Sequence, residues 1–199
     1  ELNEGWKTWL IDNSQLTIDN SKDHSKDNHQ SPITNRQSSV IDCRIPHNWD
    51  DYYGYRQLTH GNLHGTAMYV KDFSLDNCQL STVNSQLKRY FLRFEGVGTY
   101  ATIKVNGHDF GRHPVGRTTL TLDVTDALKQ GTNRLEVKAE HPEMIADMPW
   151  VCGGCSSEWG FSEGSQPLGI FRPVVLEVTD EIRIEPFGVH IWNDEKAAN

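Results

Sequence analysis

Positive charge is scarce in this sequence. Its 19 lysines and arginines face 27 acidic residues, leaving a net charge of -8 and a pI near 5.5. A sequence-independent grip on a phosphate backbone needs clustered Lys and Arg. No such cluster occurs, so nucleic acid is not an expected partner. Long apolar runs are missing too. No stretch approaches the ~20 apolar residues of a membrane span, so membrane insertion is not expected. The chain begins at Glu1 without a methionine or a signal peptide, as though a leader had been removed or the chain trimmed. Cysteine is sparse, at four residues: Cys43, Cys78, Cys152 and Cys155. The last two form Cys-Gly-Gly-Cys in a Gly/Ser-rich stretch, whereas a redox pair would open a helix after a strand. A zinc site needs two more ligands, and no second Cys-x-x-Cys exists. The pair reads as a loop disulfide or as two quiet thiols. Histidines near Trp49 lack a fixed ligand spacing, and no Asp-rich calcium loop is evident, so no metal and no cofactor are expected.

What the sequence does have is a period of two. In "RYFLRFEGV", Tyr90, Leu92 and Phe94 alternate with Phe91, Arg93 and Glu95. Ala101, Ile103 and Val105 share one face of "YATIKVNG", as do Leu120, Leu122 and Val124 of "TTLTLDVT" and Leu135, Val137 and Ala139 of "NRLEVKAE". Each run reads as a half-buried strand. "TAMYVKDFSL" and "IFRPVVLEV" add two more, the latter with Val174, Leu176 and Val178 on one face. "IRIEPFGVHIW" reads as another, broken at Pro186 and Gly188. Asn106-Gly107 is a strong hairpin signal, and Gly131-Thr132-Asn133 is a second turn. "VTDALKQG" predicts one helical turn capped by Thr125 or Asp126. No long amphipathic helix appears. Many short strands with frequent turns predict an all-β sandwich or barrel. Trp6 and Trp9 of "GWKTWL" are both expected in the core. The segments near 12–38 and 76–88 are polar and aperiodic and read as tolerated surface insertions, since doubling a loop costs only ~0.6 kcal/mol.

Several motifs fall in a recognisable order: "RIPHNWDDYYGYRQLTHGNLHGTAMYVKDFSL", "RYFLRFEGVGTYATIKVNGHDFGRHPVGRTTLTLDVTDALKQGTNRLEVKAE" and "PLGIFRPVVLEV". Together they resemble the N-terminal sugar-binding domain of glycoside hydrolase family 2, over most of residues 40 to 180. The resemblance implies a jelly-roll β-sandwich of the galactose-binding-like type over residues 1–180. Residues 181–199 then become a linker and the first strand of a second sandwich domain. In this family the acid/base and nucleophile glutamates lie on a TIM barrel that follows two sandwich domains. By itself, then, the chain is expected to be non-catalytic, its parent a retaining, β-galactosidase-like glycoside hydrolase. The substrate class implies a periplasmic, secreted or cell-surface setting. Two departures stand out. The family often shows Gly-x-His-x-Gly-Gly-Tyr where this chain has Gly111-Arg112-His113-Pro114-Val115-Gly116-Arg117. The β-galactosidase type often carries an acid shortly before Gly-Ile-Phe-Arg, where this chain has Gly164-Ser165-Gln166-Pro167-Leu168.

Retaining glycosidases need two carboxyls ~5–5.5 Å apart. Glu158 with Glu163, and Asp50 with Asp51, are close in sequence, but loop spacing fixes no distance, and they read as solvated charges. Ser156, Ser157 and Ser165 lack the Gly-x-Ser-x-Gly elbow of a hydrolase triad. No catalytic residue is therefore assigned. Sugar binding is the better reading, because it needs aromatic faces beside a few placed hydrogen-bonding groups. "HNWDDYYGYRQLTHGNLHG" and "MPWVCGGCSSEWGFSEGSQ" supply both. The substrate-rim candidates are Tyr53, Tyr55, Arg56, His64, Trp159, Ser165 and Gln166. Trp49 reads as a structural plug and Arg172 as a structural donor to loop carbonyls or to a carboxylate such as Glu163. The expected partners are a carbohydrate substrate and downstream domains of the same polypeptide. Two alternatives stay open: an autonomous carbohydrate-binding module, and a purely architectural spacer or oligomer contact.

Overall fold

The structure, a computed structural model, describes residues 1–11, 39–50, 63–75, 88–142 and 167–192 in full, and the backbone alone at 52–53, 56–57, 144–145 and 155–156. Among the described residues, thirteen strands run along the chain: β1 (Trp6–Ile11), β2 (Ile41–Cys43), β3 (Tyr52–Tyr53), β4 (Arg56–Gln57), β5 (Gly65–Leu75), β6 (Arg89–Phe94), β7 (Val97–Val105), β8 (His108–Gly116), β9 (Leu120–Asp123), β10 (Gly131–His141), β11 (Met144–Ile145), β12 (Cys155–Ser156) and β13 (Val174–Thr179). Six of them form one antiparallel sheet in the order β2-β1-β5-β10-β7-β8, and three form a second in the order β13-β6-β9. The chain crosses repeatedly between sheets, from β5 to β6, back to β7, then from β8 to β9 and back to β10. The result is a jelly-roll sandwich. The two insertion segments, 12–38 and most of 76–88, lie outside the described residues.

Period two builds the core directly. Leu135, Val137 and Ala139 of β10, with Ala101, Ile103 and Val105 of β7, turn inward and are fully buried. They meet Tyr90, Leu92, Phe94 and Val174 from the small sheet in one cluster. The longest register, β10 against β5, runs from Gly131 opposite Leu75 to His141 opposite Gly65.

The Val-Asn-Gly motif makes the β7–β8 hairpin. Asn106 and Gly107 have φ of 50° and 84°, the left-handed pair that a two-residue hairpin requires. The Asn106 side chain is also part of a second turn. Its Nδ2 donates to Ala127 O and to Asn133 Oδ1, both at 2.8 Å, and its Oδ1 accepts from Arg134 N at 2.9 Å. Asn133 is fully buried. Its Oδ1 also accepts from Lys129 N at 2.8 Å, and its Nδ2 donates to Lys129 O at 2.7 Å and Gly131 O at 2.9 Å. The two asparagines lock neighbouring turns together.

Four local expectations change. Trp6 is fully buried, but Trp9 is only half-buried. Positions three apart on a strand lie on opposite faces, and Trp9 sits outward opposite Met68. The strand read in "IFRPVVLEV" begins only at Val174; Pro173 has no N–H to give a ladder. Its inward face fades along its length, so that Val178 is 54% exposed. "VTDALKQG" gives a 3-10 turn over Thr125–Ala127 without a side-chain cap from Thr125 or Asp126. Asp123 Oδ1 instead accepts from Thr125 N at 3.1 Å and Thr125 Oγ1 at 2.6 Å. Burial pushes Asp123 up, but the Thr125 hydroxyl, Arg89 and the Thr125 N–H together hold its carboxyl below the ordinary value. Finally, residues 180–192 form no strand. A strand needs an edge to pair with, and this segment has only a tight turn, with Gly188 N donating to Glu185 O at 2.8 Å. Its apolar side chains stand in solvent, with Ile182 at 92% and Trp192 at 80% exposure.

Candidate functional site

At one end of the sandwich, two segments far apart in sequence run side by side. His47 N donates to Ile170 O and Trp49 N to Leu168 O, both at 2.8 Å. Gly98 N adds a bond to Gly169 O at 3.0 Å. The approach is so close that only glycine fits. A Cβ on Gly169 would lie 2.4 Å from Tyr69 Oη and 2.6 Å from His47 O, and its φ is 142°. A Cβ on Gly98 would lie 2.1 Å from Pro167 O. The glycines of Gly-Val-Gly and Gly-Ile-Phe-Arg are thus two sides of one contact.

Beneath this joint, His47 Nδ1 and Tyr69 Oη share a hydrogen bond of 2.8 Å. The His47 ring stands edge-on to Trp49, with centroids 5.6 Å apart. Trp49 is half-buried, and its Nε1 donates to Thr8 Oγ1 at 3.2 Å. Burial pushes the Tyr69 phenol up and the His47 imidazole down from their ordinary values. Both groups are therefore held neutral near pH 7. This sets a pH dependence. An unfolded chain takes up a proton on His47 near the ordinary value of ~6.5, whereas the folded chain resists until lower pH. The unfolded state then binds more protons, and stability falls as pH drops below ~6.5. Urea midpoints measured at pH 7 and pH 5 should show this decline, and His47→Gln should flatten it.

Asp50 follows Trp49. Its Oδ1 accepts from Leu63 N at 2.9 Å and its Oδ2 from Leu168 N at 3.0 Å, while its own N–H donates to Asn48 Oδ1 at 3.1 Å. The sequence marks the last bond, a side chain accepting from a backbone two residues on. It gives no sign of the other two, which span 13 and 118 positions. His64 is half-buried, its ring 4.9 Å from that of the buried His141, whose Nδ1 lies 3.0 Å from Leu63 O.

The remaining candidates divide by placement. Tyr53 and Arg56 face each other across the two-residue ladder of β3 and β4, where the backbone alone is described. Tyr55, Trp159, Ser165, Gln166 and Cys152 lie outside the described residues, as does Glu163. Cys155 is described in backbone only, opposite Ile145. Arg172 is exposed, and its Nη1 donates to Arg117 O at 3.1 Å. Cys43 is a free thiol raised to about 11, mainly by burial and then by the charge of Asp42; it is a poor nucleophile. Among the described residues, no group of three or more His, Cys, Asp or Glu side chains is placed to hold a metal ion, and no helix is long and apolar enough to cross a membrane. A shallow groove on the small sheet is lined by Arg89, Phe91, Asp123 and Arg183. There the Arg183 guanidinium covers the Phe91 ring at 3.2 Å.

Known proteins resemble this chain in sequence and in fold. A β-glucuronidase from Bacteroides fragilis is 36% identical over 100 residues, covering 50% of this chain and 13% of that protein. A β-galactosidase from Actinobacillus pleuropneumoniae is 28% identical over 109 residues, covering 55% of this chain and 10% of that protein. The chain thus spans only a small part of the length of these relatives. Among solved structures, an FMN-binding β-glucuronidase from Facaelibacterium prausnitzii L2-6 superposes with a TM-score of 0.59 over 94% of this chain and 23% of that one, at 18% identity. That likeness is one of fold. Residues 45–148, just over half of the chain, match the family described as glycosyl hydrolase 2 galactose-binding domain-like. The sandwich, its interlocked glycine joint and this match together make the chain a member of the galactose-binding-like domain family of the family 2 glycosyl hydrolases.

Proposed function

We propose that this domain is a non-catalytic accessory part of a retaining β-glycosidase and that it contributes to the rim of the substrate site. The observation that carries this reading is the joint at the sandwich end. Residues 47–50 pair with 168–170, so Asp50 and Leu63, which flank segment 51–62, meet Leu168, which lies just past segment 157–166, at one place. Those segments contain Tyr53, Tyr55, Arg56, Trp159, Ser165 and Gln166, with His64 immediately after the first. The catalytic carboxyls belong to a barrel elsewhere in the polypeptide, and the sugar is a β-glucuronide or β-galactoside, the classes named in the relatives above. A periplasmic, secreted or cell-surface setting is part of the same proposal.

Alanine at Trp159 or Gln166 in the full-length enzyme tests it. Loss of a stacking face or a placed hydrogen bond should lower kcat/KM for an aryl β-glucuronide or β-galactoside by about tenfold, with Tm unchanged. An unchanged kcat/KM in both variants would sink the reading. The exposed apolar residues Ile182, Phe187, Ile191 and Trp192 favour a second, compatible role, packing against further domains of the same polypeptide.

A further inference from the structure

The outer face of the large sheet carries a row of side chains in register across five neighbouring strands. Trp9 of β1 stands opposite Met68 of β5, and Met68 opposite Lys138 of β10. Lys138 in turn stands opposite Thr102 of β7, and Thr102 opposite Arg112 of β8. The chain neighbours Thr8, Ala67, Val137 and Ala101 are fully buried, so the row faces away from the core. Arg112 is exposed and the other four are half-buried. With strands ~4.8 Å apart, the row is a strip about 19 Å long.

Its chemistry changes along its length. Trp9 and Met68 make an apolar end. Lys138 and Arg112 are its charged members, both positive, on a chain of net charge -8. Glu140, in the next row, holds them in place: its Oε2 lies 3.1 Å from Arg112 Nε and 3.3 Å from Lys138 Nζ. The Arg112 guanidinium also lies over the Tyr100 ring, 3.6 Å from its centroid, which orients its plane. In the row on the other side, Lys7, Glu136 and Lys104 alternate in sign.

We propose that this strip binds an extended acidic polysaccharide, a chain of uronic acid residues. Each such sugar has an apolar C–H face to stack on Trp9. Its carboxylate accepts charge-assisted hydrogen bonds from Lys138 and Arg112, and its hydroxyls suit Thr102 Oγ1. Two cations and no anion within the strip favour a polyanion over a neutral glycan. A flat strip suits a polymer, whereas a small molecule needs an enclosing pocket. The site lies on the broad face of the sandwich and does not depend on the reading of its end.

Affinity electrophoresis of the full-length protein in polygalacturonate tests this, with neutral galactan and polyglutamate as comparison polymers. Polygalacturonate should bind at least about tenfold more tightly than either. Trp9→Ala should weaken that binding about tenfold, and Lys138→Gln about threefold. Lys104→Gln removes the same charge from the same face one row away, where Lys104 pairs with Asp109 at 3.2 Å. It should change binding by no more than about 1.5-fold. Equal losses at Lys104 and Lys138, or polyglutamate held as tightly as the uronate, would reveal diffuse charge attraction and overturn the site. So would galactan bound equally well, or no retardation by polygalacturonate. Should Trp9→Ala not fold, Lys138→Gln against Lys104→Gln decides alone.

Discussion

Replacing Gly169 with alanine should unfold this domain or lower its Tm by about 10 °C or more. Two costs combine. A φ of 142° lies in a region that L side chains rarely adopt. The added methyl would also sit 2.4 Å from Tyr69 Oη, 2.6 Å from His47 O and 2.9 Å from Asn48 Cα. Two of those atoms belong to backbone, so nothing can swing aside, and the hydroxyl is held by His47. Relief would require residues 168–170 to leave 47–49, breaking the bonds at Ile170 O and Leu168 O. The expected loss is at least about 4 kcal/mol, at the high end for a single substitution. Gly107→Ala is the control. Its φ is 84°, but nothing lies within 4 Å of the new methyl, so only the conformational cost of about 1 kcal/mol applies. Thermal melts of the two variants separate contact from conformation. Equal Tm losses would show that the close approach contributes nothing.

Asn133→Asp should be nearly as damaging, although it changes hardly any volume. All four hydrogen-bonding places of the Asn133 amide are used, two as acceptor and two as donor. Aspartate would turn an oxygen toward the carbonyls of Lys129 and Gly131 and place a charge where no solvent reaches. Breaking a satisfied buried network in this way costs about 3–5 kcal/mol. For a chain of this length that is a fall in Tm of about 10 °C. Because the two side chains are isosteric, a melt reads the lost hydrogen bonds and the buried charge without a change of volume. A Tm within about 2 °C of the parent would mean that the asparagine pair does not hold the turns.

Much of the sandwich could be read before any fold was seen. Alternation in β6, β7 and β10 is a local signal, because the two faces of a strand meet different surroundings. Asn106-Gly107 was legible for a similar reason, since few residue pairs accept two left-handed conformations. Hydrophobicity alone misplaces Trp9 in the core, whereas counting positions by twos from Trp6 puts it on the outer face. The stretch 182–192 shows a second limit. Its apolar residues are of strand type, but pairing depends on an available edge, which no local pattern encodes. At the sandwich end the limit is distance along the chain. Gly98 and Gly169 each look like a loop glycine, and only together do they mark a backbone contact. Asp50, beside Asp51, reads as solvated charge until Leu63 and Leu168 are brought to it. The rim candidates are marked by residue type alone, and Tyr53 and Arg56 face one another across the β3–β4 backbone ladder.

The first residues of the chain are joined to the last strand. Leu2 N donates to Val174 O at 2.8 Å, Val174 N donates to Asn3 Oδ1 at 3.2 Å across 171 positions, and Ile45 N donates to Asn3 O at 2.8 Å. Closing so long a loop is unfavourable until many other contacts repay it, and folding rates fall as such distant contacts come to dominate. The sandwich therefore cannot be completed while the polypeptide is still being made short of Val174. Until that strand arrives, β6 has a bare edge and the buried faces of the large sheet lack part of their cover. Until then the sandwich stays in the state most exposed to misassembly, and its native cooperativity begins only when Leu2 and Asn3 meet Val174.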